Sequence, residues 1–377
     1  MIAESFAGLA LLIWVYLLLG RSMFWRLREA EPVTPAAPPK PRVAIVIPAR
    51  NEGASIGRTI ASLAKQNYGG PVHIFLVDDH SQDGTADIAR GAAQPDRLTV
   101  VRARPLPADW TGKLWALAEG VREAEGFHPD YFFFCDADIA CAPEHLANLV
   151  ALAESGGYDL ASFMVRLACE SFAESALIPA FTFFFFMLYP PRWIENRRYA
   201  TAGAAGGSIL LRAEALSRVG GIAAIRGELI DDCALAKAVK RAGGRVWLGI
   251  TSQTVSIRSY GTFGEIGRMI SRTAFFQLRH SALLLAGTIA GMFLTYMLPP
   301  VLLFSFHPVA AALGGAAWFL MALAYLPTLR FYSRSVLWAP FLPLVALFYT
   351  GATIHSAALY WSGRGGEWKG RTQDTQR

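Results

Sequence analysis

The sequence predicts an α/β fold: a doubly wound, Rossmann-like domain with apolar, membrane-spanning helices at both ends. Three observations predict it. The 377-residue chain is 53% hydrophobic with a mean hydropathy of +0.33, too apolar for an ordinary soluble protein. The excess collects at the N-terminus and in about the last hundred residues, leaving roughly residues 40–260 with ordinary globular composition. Within that stretch, short continuous apolar runs alternate with helix-period segments, the pattern of a parallel sheet covered by helices.

The N-terminal run Phe6–Leu19, extended by Ile2 and Ala3, is long enough to cross a bilayer with its flanks, so residues 1–28 read as an anchor. Arg21, Arg26 and Arg28 follow it and place the next segment in the cytoplasm. A cleaved signal peptide is the alternative; no basic residue precedes the run and no small-x-small site closes it cleanly. Residues 29–41 form a stiff, Pro-rich linker.

Val43–Ile47 is a β-branched run expected to be a strand buried on both faces. Pro48-Ala49-Arg50-Asn51-Glu52 follows, and Ile56, Ile60 and Leu63 then recur at helical spacing. His73–Val77 is a second buried strand, ending in Asp78-Asp79-His80-Ser81-Gln82-Asp83-Gly84-Thr85, with Thr85 the expected helix cap. Leu98–Val101 is a third strand and Tyr131–Cys135 a fourth. Ligands of such sheets bind outside the carboxyl ends of the strands, where these polar clusters fall. Neither GxGxxG nor GxxxxGKS occurs, which excludes a dinucleotide fingerprint and a P-loop.

Residues 281–362 hold three candidate spans, about Ala282–Phe304, Val309–Leu329 and Val336–Trp361. Pro299 and Pro300 are expected to kink or end the first, and Pro340 and Pro343 to disturb the third. Arg330 and Arg334 fit a cytoplasmic turn. Four crossings would place the basic tail, residues 363–377, outside, against the same rule, so one segment is expected to lie in the interface. The run Ala176–Leu188, followed by Arg192, Trp193, Arg197 and Arg198, is short for a span; it suits the membrane interface or a buried core helix.

Cys135, Cys141, Cys169 and Cys233 make no CxxC or Cys/His cluster, so zinc is not indicated and reduced, packed thiols are expected. The net charge of +6 and pI near 9.2 point to anionic lipid headgroups rather than nucleic acid, since no basic stripe interleaved with aromatics occurs.

The chemistry concentrates in five places. Residues 133–139 read FFCDADI: Asp136 and Asp138 end an apolar strand and present two carboxylates to one point. Carboxylates this close repel unless a cation joins them, and hard cations such as Mg2+ or Mn2+ take oxygen ligands, usually beside a phosphate. Turn and cap chemistry before Pro143 is the alternative. Lys113, in Asp109-Trp110-Thr111-Gly112-Lys113, stands against the dipole at a helix start, which an anionic phosphate would repair; an exposed lysine on a loop is the alternative. Asn51 and Glu52 could meet a nucleobase or ribose, or simply open a helix. Asp79 could accept from a base or ribose, or belong to turn chemistry. Asp231 and Asp232 open a helix ending in Lys240 and Gly243; one carboxylate is a candidate general base, and a well-capped helix is the alternative.

Taken in order, IVIPARNE (45–52), VDDHSQDGT (77–85), TGK (111–113), CDAD (135–138) and IDD (230–232) resemble the inverting family 2 glycosyltransferases of GT-A fold, over about residues 42–280. TGKLWAL, RTAFFQLRHS and the length resemble, more narrowly, the bacterial hopene-associated glycosyltransferases, related to the ceramide glucosyltransferases. The resemblance implies a cytoplasmic GT-A domain held at the bacterial inner membrane, a UDP-sugar donor, a lipid acceptor and Mg2+ or Mn2+. It implies that Pro48, Asn51 or Glu52, and Asp79 hold the uridine. Lys113 would face the nucleotide, Asp136 the ribose or metal, and Asp138 would be the main metal ligand. Asp232 would be the base, with Asp231 where relatives often carry Glu, and Gly206-Gly207-Ser208 would form the acceptor-side wall. The family's (Q/R)xxRW motif is absent; Arg272, in Arg268-Met269-Ile270-Ser271-Arg272-Thr273, is the nearest substitute for its cation, and the missing tryptophan argues against processive polymer synthesis. A hydroxyl acceptor is the first expectation, with polysaccharide synthesis, a polyprenyl-phosphate acceptor or a binding scaffold without turnover as alternatives.

Overall fold

A computed structural model describes residues 1–27, 29 and 40–366. The body of the expected linker, 30–39, and the tail beyond 366 lie outside the described residues. The chain divides into two compact units, one of Arg28–Ala168 and Pro191–Arg258, the other of Met1–Leu27, Cys169–Pro190 and Ser259–Arg377.

Among the described residues the first unit is built on eight strands: β1 (Val43–Ala49), β2 (Val72–Asp78), β3 (Leu98–Arg102), β4 (Tyr131–Phe134), β5 (Ile139–Ala140), β6 (Leu160–Arg166), β7 (Ile209–Arg212) and β8 (Val246–Ser256). They form one mixed sheet in the order β3-β2-β1-β4-β7-β6-β8-β5. β1 pairs in parallel with β2 and β4, and β7 runs antiparallel to β4 and β6. The chain therefore winds outward from β1 to β3, then returns to β4 on the other side of β1. That reversal opens a crevice at the carboxyl ends of β1 and β4. Every residue of β1 is buried, as its unbroken apolar run requires.

Helix Gly112–Glu123 covers β1 and β2. It lies so close that a Cβ on Gly120 would stand 2.4 Å from Val46 Cγ1, so only glycine fits there. This fixes the height of Lys113 over the sheet. Helix Thr85–Arg90 corrects the expected cap: Gly84, at φ 79, is the N-cap residue. The Thr85 hydroxyl instead bonds Asp83 and accepts from the Glu52 N–H at 2.9 Å, tying the first two polar loops together.

The second unit is helical. Among the described residues, five helices are long and apolar enough to cross a membrane by length and composition: Ile2–Gly20, Phe172–Glu195, Ala282–Leu303, Pro308–Phe331 and Val336–Trp361. The second begins earlier than the apolar run suggests. Ser171 and Glu174 form a capping box, and Glu174 also accepts from the backbone N–H groups of Glu170 and Tyr260. A buried acid at the helix start thus lengthens the element. Pro299 and Pro300 do not end the third helix; a π-helical stretch, Phe293–Met297, lies directly before them, and the helix runs on to Leu303. Within this unit the Trp14 indole donates to the Thr295 carbonyl at 2.8 Å, and the Tyr349 hydroxyl to the Leu177 carbonyl at 2.9 Å. All four cysteines of the chain are buried.

Candidate active site

The crevice beside β1 and β4 collects most of the expected site residues. β4 ends at Phe134, and Asp136 follows at once. Lys113, from the first turn of its helix, places Nζ 2.8 Å from Asp136 Oδ1 and 3.0 Å from Asp231 Oδ2. The mismatch between this lysine and its helix dipole is thus relieved by two carboxylates. Burial alone would lower the lysine pKa, but Asp136, Asp231 and Asp232 hold it above the usual lysine range.

Asp231 and Asp232 sit in the first turn of helix Asp231–Arg241, where acids complement the dipole. Asp232 accepts from the Gly206 N–H at 2.9 Å and from the Cys233 N–H at 2.7 Å. Burial first, then the Asp231 charge, pushes the Asp232 carboxyl up to about 6, against the pull of Lys113. A Cβ on Gly206 would lie 3.4 Å from both Asp136 Oδ2 and Lys113 Nζ, so this backbone faces the centre of the charge cluster. Pro48 lines the same cleft. At the far end of the Asp232 helix, Lys240 donates to the carbonyls of Trp193, Ile194 and Thr201 at 2.9, 2.5 and 2.7 Å. One helix therefore carries the candidate base and anchors the segment that leads to Gly206.

Asp138 meets a residue that sequence reasoning missed. Arg258 donates from Nε to Asp138 Oδ2 at 2.7 Å and from Nη2 to both Glu52 oxygens at 2.6 Å. Burial, then the Asp136 charge, raises the Asp138 pKa, and Arg258 opposes them. Glu52 is thus tied to an arginine. Asn51, at φ 51, accepts from the Gln82 N–H and donates its own N–H to Ser81, clasping the β1 and β2 loops. Asp79 is 3% exposed and pairs with Arg50 at 3.4 Å. Beside it, His80 stands at φ 57, and its Nδ1 is buried without a hydrogen-bond partner. That orphan is a signal that a sequence reading of His80 as a turn residue passes over.

Arg272 is exposed and belongs to the helical unit. Arg258 stands among the carboxylates as a second cation beside Lys113. Among the described residues no group of three or more His, Cys, Asp or Glu gathers to hold an ion alone. The pair Asp136 and Asp138 still fits a divalent cation. Its donors are all oxygen, and Glu52, Asp136, Asp138, Asp231 and Asp232 outnumber the cations Lys113 and Arg258. Mg2+ commonly takes one or two carboxylates and completes its shell with phosphates.

Residues 44–220 match the family described as Glycosyl transferase family 2. An undecaprenyl-phosphate 4-deoxy-4-formamido-L-arabinose transferase of Shewanella sediminis is 38% identical over 122 residues, 31% of this chain and 34% of the relative. The transferase of the same description from Pseudomonas paraeruginosa is 34% identical over 120 residues, again 31% of this chain and 34% of the relative. The matches span about a third of the length of these relatives. Among solved structures, the mannosyltransferase PcManGT of Pyrobaculum calidifontis, in complex with GDP-Man and Mn2+, is similar with a TM-score of 0.53 and 19% identity, over 94% of this chain and 98% of that one. On fold and match together, residues 44–220 are similar in sequence to the family 2 glycosyltransferases, in a fold of the GT-A type.

Proposed function

We propose that the protein moves one sugar from a nucleoside diphosphate-sugar to a membrane lipid. The observation that carries this reading is the pair of cations, Lys113 and Arg258, set among Asp136, Asp138 and Asp231 at the carboxyl ends of β1 and β4. A site with fixed cations and surplus carboxylates suits a ligand that arrives as a diphosphate with a divalent ion. Asp136 and Asp138 would hold Mg2+ or Mn2+, which would neutralise charge on the leaving diphosphate. Lys113 and Arg258 add permanent positive charge for the same group. The clasped loops around Pro48, Asn51 and Asp79 are the proposed seat of the nucleoside, uridine in this reading.

The named relatives are undecaprenyl-phosphate transferases, which supports a polyprenyl phosphate acceptor above a lipid hydroxyl. A phosphate oxygen is already ionised near neutral pH and needs no base. One observation favours the hydroxyl as a second reading. Asp232 is oriented by two backbone N–H groups, and its carboxyl, at about 6, suits removal of a hydroxyl proton. A hopanoid or similar lipid of the bacterial inner membrane would then be the acceptor, and the oxygen would attack the anomeric carbon in line and invert it. Both readings place the domain in the cytoplasm.

The test offers the full chain in detergent UDP- and GDP-sugars with Mn2+ and either undecaprenyl phosphate or hydroxyl-bearing bacterial lipid. Product retained in Asp232→Asn on the phosphate supports the first reading. Product on the hydroxyl, lost in that variant, supports the second. No lipid-linked sugar with any combination overturns both.

A further inference from the structure

We infer that Arg258 is a built-in counter-cation for Asp138, so that a divalent cation enters this site together with a nucleoside diphosphate rather than alone. The inference rests on reading Asp136 and Asp138 as a cation site.

Backbone register delivers the arginine. Ile139 of β5 pairs with Ser256 of β8, and the Ile257 N–H donates to the Asp138 carbonyl at 2.8 Å. Arg258 is the next residue, so its side chain leaves the backbone beside the Asp138 carboxylate. Its guanidinium then closes on Asp138 from Nε and on Glu52 from Nη2, at 2.6 to 2.7 Å. Glu52 is itself fixed through its N–H to Thr85. The guanidinium cannot lose its charge by deprotonation near neutral pH.

A divalent ion that takes Asp138 must therefore share that carboxylate with a permanent positive charge a few ångströms away, and the two repel. A nucleoside diphosphate changes the balance. It brings anionic oxygens that match the planar fork of arginine as well as a carboxylate does. Arg258 can then exchange Asp138 for the diphosphate while Glu52 keeps it in the crevice, and the freed carboxylate oxygen is open to the ion. The sequence spacing hides this device, because Arg258 lies 120 residues from Asp138 and 206 from Glu52.

Mn2+ binding to the full chain in detergent, followed by electron paramagnetic resonance, tests the inference without any sugar transfer. Without nucleotide, Arg258→Gln is expected to bind Mn2+ at least tenfold tighter than the wild type, while Arg258→Lys, which keeps the charge, stays near it. With UDP or GDP present the gap between wild type and Arg258→Gln closes. Asp138→Asn abolishes the ion site in either background. Arg258→Met, which keeps the apolar stem, replaces the glutamine variant if that one melts early. Equal Mn2+ affinity of wild type and Arg258→Gln without nucleotide overturns the inference, as does Mn2+ binding that Asp138→Asn leaves intact or no binding by any form. Sugar transfer with equal affinities removes this inference and leaves the proposed activity. Competition without transfer does the reverse.

Discussion

The backbone N–H of Gly206 donates to Asp232 at 2.9 Å, and the missing side chain of Gly206 leaves its space to Asp136 and Lys113. Gly206→Ala would put a methyl group 3.4 Å from two charged atoms and 3.5 Å from Asp232 Oδ2. Its cost is displacement of those groups and lost hydration, not a clash with the sheet. Activity is expected to fall by about tenfold to a hundredfold with the melting temperature little changed. Thermal melts beside initial rates check both halves.

Asp232 separates the two acceptor readings by pH. Its carboxyl is pushed up to about 6, so it gains its charge only as pH rises through that value. With a hydroxyl acceptor, kcat/KM is expected to climb to a plateau above about pH 6, and Asp232→Asn to lose about a hundredfold or more. With a phosphate acceptor the limb follows the second ionisation of the phosphate, and Asp232→Asn stays active. The kcat/KM profile of both proteins from pH 5 to 8 decides.

Lys113 neutralises Asp136 and Asp231 together. Lys113→Met removes that charge from a cluster already rich in carboxylates. It also removes the pull that holds the Asp232 pKa down, so any limb set by Asp232 should move to higher pH. Turnover is expected to drop by about a hundredfold. With a hydroxyl acceptor, where Asp232 sets the limb, a limb that moves down or stays put in Lys113→Met would contradict this account of the cluster.

His145 offers a stability test away from the chemistry. It is buried between the Ser208 hydroxyl and the Thr254 hydroxyl, each at 2.8 Å, and burial lowers its pKa to about 4. The unfolded chain binds this proton near pH 6.5 and the folded chain near 4. The neutral histidine therefore leaves stability intact above about 6.5, and stability is lost as pH falls toward 4. The loss attributable to this group is of order 3 kcal/mol. Denaturant melts at pH 7 and pH 4.5 should show a smaller drop for His145→Gln than for the wild type.

Of the first four strands, β1, β2 and β4 are legible as continuous, largely buried apolar runs, and β3, the partly buried edge strand, by its β-branched Thr99, Val100 and Val101. β8 was not, since Ser252 and Gln253 interrupt its pattern where the strand meets solvent. The helix beginning at Phe172 was read four residues short because Glu174 breaks the apolar run; its charge is absorbed by backbone N–H groups, one of them from distant Tyr260. Asp136, Asp231, Asp232 and Lys113 could be named because each sits at the end of a strand or the start of a helix. Arg258 could not, because only the β5–β8 pairing brings it to Asp138. Nor does local sequence tell that Lys240 ties its helix to the carbonyls around Trp193.

The central claim is sugar transfer at the crevice beside β1 and β4, and one measurement meets it most directly. The purified full chain is incubated with radiolabelled UDP- and GDP-sugars, Mn2+ and total bacterial membrane lipid, and label is counted in the organic phase. The account predicts metal-dependent label in the lipid with one donor, lost in Asp138→Ala and in Lys113→Met while both variants keep the wild-type melt. Equal label from Asp138→Ala and wild type would contradict it.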